Sequence, residues 1–333
     1  MHKKLFILVL FFSFYGEVSA QDKSKFIDLS KTTRFIDTLL IDRNLDNWSI
    51  RAFTSFKQQR FIIKPINNKF TYSPNNPYGI GFGVGTKKAI FDFSFNLKAS
   101  EENPTKRYDI LWSFFKKNYL FDCYFQHYRG FDVFNQNTGD IIFREDIRSL
   151  SAAIRYVYMF REVNYSIASM KTGLVTAEKS TFSFGIGGFL MHSNQYASES
   201  IIPMDLLNLA NNSQFIEKFQ GTGMGIMLGF YFLIVLPNNF FVSFHMSPGV
   251  GMMSKYVTTE ETGYQPKNFI MKQLGLSMLL GYNAKQYYVN LSVSNGTYST
   301  DYDFGDEVVF GYINAKLVFG YKLKDKIKRN WKK

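Results

Sequence analysis

The stretch NPYGIGFGVGTKKAIFDFSFNLK, residues 76–98, alternates strictly on both sides of a short basic interruption. In its first half Tyr78, Ile80, Phe82 and Val84 are interleaved with Gly79, Gly81, Gly83 and Gly85; in its second, Phe91, Phe93, Phe95 and Leu97 oppose Asp92, Ser94, Asn96 and Lys98. A period of two puts each set on one face of an extended strand, whereas on a helix the same residues would scatter round the circumference. With Thr86-Lys87-Lys88 as a tight turn, the stretch reads as a β-hairpin. Glycine weakens a strand because it costs entropy and packs nothing. Its repetition therefore requires bulk on one face and almost none on the other. A membrane barrel supplies both: Tyr78, Ile80, Phe82, Val84, Phe91, Phe93, Phe95 and Leu97 are predicted to face lipid. The glycines would then line an inner wall where closing strands or a plug leave little room.

The same alternation recurs from residue 47 almost to the C-terminus. Phe182, Phe184 and Ile186 oppose Ser183, Gly185 and Gly187; Met224, Ile226 and Leu228 oppose Gly223, Gly225 and Gly229; Ile313, Ala315, Leu317, Phe319 and Tyr321 oppose Asn314, Lys316 and Gly320. Segments of ~9 to 14 residues cross a bilayer as tilted strands. Connectors alternate between tight turns (86–88, 117–118, 237–239, 283–285) and long polar stretches (58–77, 99–107, 128–146, 193–221, 254–269, 295–308). Strands are expected near 47–57, 78–87, 89–98, 108–117, 119–127, 147–160, 180–192, 223–236, 239–252, 270–283, 286–294 and 309–322. The expected fold is thus all-β, a single antiparallel up-and-down transmembrane barrel of about 12 strands, within roughly 10 to 14, an even number as in bacterial single-chain barrels. The stretch 161–179 is too long for a tight turn and leaves room for one more hairpin.

Residues 1–20 read as a secretory signal peptide: Lys3 and Lys4, an apolar run from Leu5 to Phe12, then Val18-Ser19-Ala20 before Gln21. Cleavage would leave a formal charge of +11 against +12 for the whole chain. For an exported protein that excess points to anionic lipid or polysaccharide rather than to nucleic acid. Cys123 is the sole cysteine, so no intramolecular disulfide is available. Residues 21–46 are expected to form a periplasmic segment, as a short helix or a plug, 47–323 the barrel and 324–333 a basic tail.

A soluble β-sandwich or lipocalin-like binder also alternates with period two, but with charge on its outer face. Here the second face carries glycine, serine and isolated polar groups, which suits a lumen. The lumen candidates are Arg51, Lys57, Asp92, Asn96, Asp109, Asp122, Gln126, Arg155, His245, Asn290 and Lys316. Trp48, Tyr78, Tyr108, Trp112, Tyr282 and Tyr312 stand near strand ends and suit interface girdles.

The run WSIRAFTSFKQQRF from Trp48, the Tyr72-Ser73-Pro74-Asn75 loop and the glycine-rich strand leading into an aromatic one resemble a Bacteroidota outer-membrane family catalogued as domain of unknown function 4421. The resemblance implies an outer-membrane barrel and supplies no reaction.

The catalytic and cofactor motifs that the sequence suggests do not keep the spacing their chemistry needs. The glycine runs at 79–83 and 221–225 lack the Gly-x-Gly-x-x-Gly fingerprint before a helix. His127, His192 and His245 are far apart, so no metal or other cofactor is expected. The segment Ser292-Val293-Ser294-Asn295-Gly296 resembles part of an outer-membrane phospholipase signature, but Ser292 stands where its histidine should be. A hydrolase acting on lipid or surface material would need His245 as base for Ser294. The expected function is therefore a non-enzymatic barrel of the cell outer membrane, either a narrow pore for small polar solutes or a structural and interaction protein, with membrane lipid as its neighbour. The alternatives are that hydrolase and a soluble periplasmic binder.

Overall fold

A computed structural model describes residues 48–65, 69–86, 90–97, 104–116, 118–160, 170–175, 179–202, 216–259, 262–301 and 307–323. Residues 1–20, 21–46 and 324–333, expected to be signal peptide, periplasmic segment and tail, lie outside the described residues.

Among the described residues, fourteen strands form one antiparallel sheet: β1 (Trp48–Lys64), β2 (Phe70–Ser73), β3 (Tyr78–Thr86), β4 (Ile90–Asn96), β5 (Lys106–Lys116), β6 (Tyr119–Asn135), β7 (Ile141–Met159), β8 (Thr181–Tyr196), β9 (Ile216–Val235), β10 (Phe240–Thr259), β11 (Gly263–Tyr264), β12 (Ile270–Asn283), β13 (Tyr287–Asp301) and β14 (Glu307–Lys322). Ten of them close a hydrogen-bonded ring, β1-β14-β13-β12-β10-β9-β8-β7-β6-β2, and β3, β4, β5 and β11 pair beside it. Closure runs from Ser49↔Lys322 to Lys64↔Glu307, so the first and last long strands leave no free edge between them. All twelve strands expected from the sequence are present; β2 and β11 are short additions within stretches expected to be loops.

The largest difference lies beyond the membrane belt. Residues 128–146 were expected to be a loop, yet β6 continues to Asn135 and β7 starts at Ile141. Alternation does not stop where the lipid-facing belt stops. Phe131, Val133 and Ile147 keep pointing inward and are fully buried, so the hairpin extends the barrel past the belt. Part of the 161–179 stretch is also described: residues 170–175 form a turn, and the rest of that stretch, where a further hairpin was expected to find room, lies outside the described residues apart from Lys179.

The outer surface is apolar where a bilayer would touch it. Phe82 is 56% exposed, Phe93 61%, Met224 66% and Met252 64%, and exposed Phe184, Leu228, Leu280 and Phe319 continue the belt round the barrel. A contiguous apolar band of this kind has no place in water and fits hydrocarbon.

β3, β4 and β5 fill a wedge that opens between β1 and β6 below β2. β4 pairs with β3 and β5 with β6, but among the described residues no ladder joins β4 to β5. The apex of this seam is latched by side chains. Asn75 Oδ1 accepts from the Thr105 amide at 2.9 Å, Asn76 Nδ2 donates to the Thr105 carbonyl at 2.9 Å, and Arg107 donates to the Lys57 carbonyl at 2.9 Å and to Asn96 Oδ1. Backbone groups without a partner are costly in lipid, so this is the weakest side of the wall. In hydrogen exchange, the seam-facing amides of β4 are expected to exchange first among the long strands; protection equal to that of β9 and β10 would show a zipped seam.

Candidate functional site

The functional candidates sit on the inward parity of the strands, where alternation alone sends them. At the end of the barrel carrying the short turns, Arg51 of β1 meets Asp92 of β4: Nη2 lies 2.6 Å and Nε 2.7 Å from Oδ1. Lys316 of β14 takes the other oxygen at 2.6 Å and lies 4.2 Å over the Phe53 ring. The glycines of β3 make this possible. A Cβ at Gly83 would overlap the Asp92 carboxylate, and one at Gly81 the Phe53 ring and the Phe93 carbonyl oxygen. At Gly85 the neighbour is Thr172, so both a crowded wall and a plug explain the motif.

The plug is the turn 170–175. Met170 and Thr172 are fully buried, and the wall holds the backbone between them by its carbonyls. Arg51 Nη1 donates to the Lys171 carbonyl at 3.4 Å, Asn290 Nδ2 to the same oxygen at 3.0 Å, and Asn283 Nδ2 to the Val175 carbonyl at 3.2 Å. Satisfying backbone groups in this way is what an inward loop needs once water is excluded.

Further in, Arg155 Nη2 donates to Asp122 Oδ2 and to the Tyr312 hydroxyl, each at 3.1 Å. Gly275 leaves the room that this guanidinium occupies. His245 is 6% exposed, and its Nε2 has no hydrogen-bond partner among the described residues. Asp109 accepts from Gln126 at 2.9 Å and from the Tyr128 hydroxyl at 2.7 Å. Gln59 spans the interior to Ser149 and Ser151, both at 3.0 Å.

Toward the long-loop end the interior turns mainly apolar, although Gln195, Lys255 and Thr300 remain buried within it. Phe61 stacks on Tyr72 with centroids 4.1 Å apart, Phe131 packs edge-on against Phe61 at 5.3 Å, and Phe219 meets Phe310 at 5.2 Å. Tyr72, Tyr128, Phe70 and Phe131 have no exposed surface, so this half of the lumen is a close-packed core like that of a soluble protein. A cavity of about 10 Å³ remains between Phe61, Ile63, Gln195, Ile201, Phe219 and Val308, with room for about one water and Gln195 as the polar residue of its lining.

The structure therefore gathers Arg51, Asp92, Lys316 and Asn290 at the plug, Asp122, Arg155 and His245 beyond it, and Asp109 with Gln126 near the core. Lys57 is partly exposed, and Asn96 stands exposed at the seam, where β4 has no second strand neighbour among the described residues. Outside, Tyr78, Ile80, Phe82, Phe91, Phe93, Phe95 and Leu97 are exposed, and Val84 is half-buried. Tyr312, expected in an interface girdle, is instead buried and bonded to Arg155, because its parity is that of Gly296 and Tyr298 rather than of Phe319. Sequence reasoning missed Lys171 and the tyrosines around Arg155. The available signals were the excess length of 161–179 and the inward parity of Tyr124, Tyr298 and Tyr312.

His245, Ser277 and Ser294 lie in one register row across β10, β12 and β13. Two inter-strand spacings, about 10 Å, separate the histidine from Ser294, too far for the proton transfer a hydrolase needs. The Ser294 hydroxyl donates instead to the Asn314 carbonyl at 3.4 Å.

No curated protein matches the chain. Among solved structures it is similar to the outer membrane protease OmpT from Escherichia coli, with 7% identity over 84% of this chain and 97% of that one and a TM-score of 0.38. The beta domain of the Bordetella autotransporter BrkA matches with 10% identity over 82% and 98% and a TM-score of 0.36. The translocator domain of the autotransporter NalP from Neisseria meningitidis gives 8% identity over 89% and 96% and a TM-score of 0.33. These values are too low to carry residue roles across. A family model described as domain of unknown function (DUF4421) matches residues 35–322, and the chain belongs to that family.

Proposed function

We propose that the protein is an exported outer-membrane barrel, closed at rest, whose role is structural or in interaction rather than catalysis or open conduction. The short-turn end, which carries the plug, faces the periplasm in this reading, and the strand extensions of β6 to β10 stand outside the cell. The observation that carries it is the filled lumen. An aromatic core closes the outer half and the 170–175 turn occupies the inner half, so the polar residues of the wall bond to one another instead of lining a water column. Small barrels pack shut in this manner, and only larger ones leave a wide channel.

Refolded full-length protein in a planar bilayer is expected to give no conductance steps. Regular steps would favour the narrow-pore reading and would require the plug and the aromatic core to move together.

A further inference from the structure

Three cations stand directly opposite one another on the outer wall. Lys106 of β5 pairs in register with Arg129 of β6, and Arg129 with Arg148 of β7. Lys106 and Arg148 are exposed and Arg129 is half-buried, while Tyr128 and Ser149, on the opposite parity, are buried. Side chains directly opposite in a ladder lie about 5 Å apart, and like charges so placed repel. Among the described residues no carboxylate pairs with Lys106 or Arg148. Glu145 meets Arg129 at 3.4 Å, an exposed and therefore weak pair. Asp146 is taken by Arg144 at 2.7 Å and by the amide and hydroxyl of Ser198, each at 3.1 Å. The connector 98–103, outside the described residues, brings Lys98, Glu101 and Glu102, so the register of the row selects the partner rather than a net charge.

The wall below the row has the order of a lipid. The next outward row is Tyr108, His127 and Leu150, with the Tyr108 and His127 rings stacked 6.4 Å apart, and the one after it is Ile110, Phe125 and Ala152. Tyr108, Ile110 and Phe125 are exposed, and exposed Ile154 continues the apolar column on β7. Cations therefore stand above aromatic rings, and rings above aliphatic surface, as headgroup, interface and hydrocarbon succeed one another in a leaflet. We propose that Lys106, Arg129 and Arg148 hold the headgroup of one anionic lipid of the outer leaflet, whose acyl chains lie along Tyr108, Ile110 and Phe125. The site rests on the placement of the barrel proposed above, with the extended strands outside the cell. The face is open, so the headgroup needs no cavity. One anionic group among the three cations offsets the repulsion that their register imposes.

The test is native mass spectrometry of refolded full-length protein in non-ionic detergent, with phosphatidylglycerol and phosphatidylcholine added in equal amounts. The first lipid bound is expected to be phosphatidylglycerol. Its affinity should fall about fivefold in Arg148→Gln, the effect of one basic side chain at a membrane surface, and recover in Arg148→Lys. Lys106→Gln with Arg148→Gln should abolish the preference. Lys272→Gln on β12, an exposed cation whose register partners Val250 and Ser299 are uncharged, should leave it unchanged. The variants are expected to keep the heat-modifiable gel mobility of the folded barrel. A folded protein that inserts into bilayers but binds both lipids equally, or loses as much preference in Lys272→Gln as in Arg148→Gln, overturns the site and leaves the barrel standing. A protein that fails to insert overturns both.

Discussion

Asp92→Ala is expected to lower folding stability by about 3 kcal/mol, the low end of the cost of breaking a buried ion pair. The carboxylate answers two cations at once, at 2.6 Å each. Its removal leaves Arg51, whose side chain is 4% exposed, facing Lys316 with no anion between them. The low end applies because Asp92 is 18% exposed at the seam, where water relieves part of the loss. Urea unfolding in micelles, followed by gel mobility without boiling, measures it. Adding Lys316→Met to Asp92→Ala should recover part of the loss, because the second change removes a charge the first left unmatched. A single variant within about 0.5 kcal/mol of wild type, as for an ordinary surface change, would mean that the cluster is hydrated rather than buried.

Gly81→Val should cost a similar amount, about 3 kcal/mol, at the upper end for overpacking. Its side chain would have to enter space held by the Phe93 carbonyl oxygen of β4 and by the Phe53 ring. The first is backbone and the second is pinned beneath Lys316, so neither yields easily. The neighbouring outward residue gives the contrast. Ile80 is 47% exposed to the lipid side, and Ile80→Val is expected to change stability by less than about 0.5 kcal/mol. The same urea series reads both, and equal effects at positions 80 and 81 would mean that the two faces of β3 are not distinguished by packing.

The hairpin at 76–98, the twelve long strands and the end at which chain turns are short were legible in the sequence. Alternation is a local property: neighbouring side chains of an extended chain point to opposite faces whatever lies beside them. The order of pairing follows nearly as directly, because tight turns force consecutive strands together. The grouping of charges was not legible. Arg51, Asp92 and Lys316 share inward parity, but only the closure of β1 on β14 and the β1 to β3 to β4 register bring residues so far apart in sequence to one carboxylate.

By itself, then, the sequence determined a closed sheet with an apolar exterior and a glycine-relieved inner wall. Only the tertiary structure decided what that wall encloses. Inward parity is the same for a water-filled lumen and for a packed core, and the difference depends on whether side chains from opposite walls reach one another. Here they do: Phe219 of β9 meets Phe310 of β14, Arg155 of β7 crosses to Tyr312 of β14, and a turn from outside the strand pattern fills the remainder. A period-two pattern carries no information about distances across the barrel, so the closing of the lumen could be seen only once the strands had been wound into a ring.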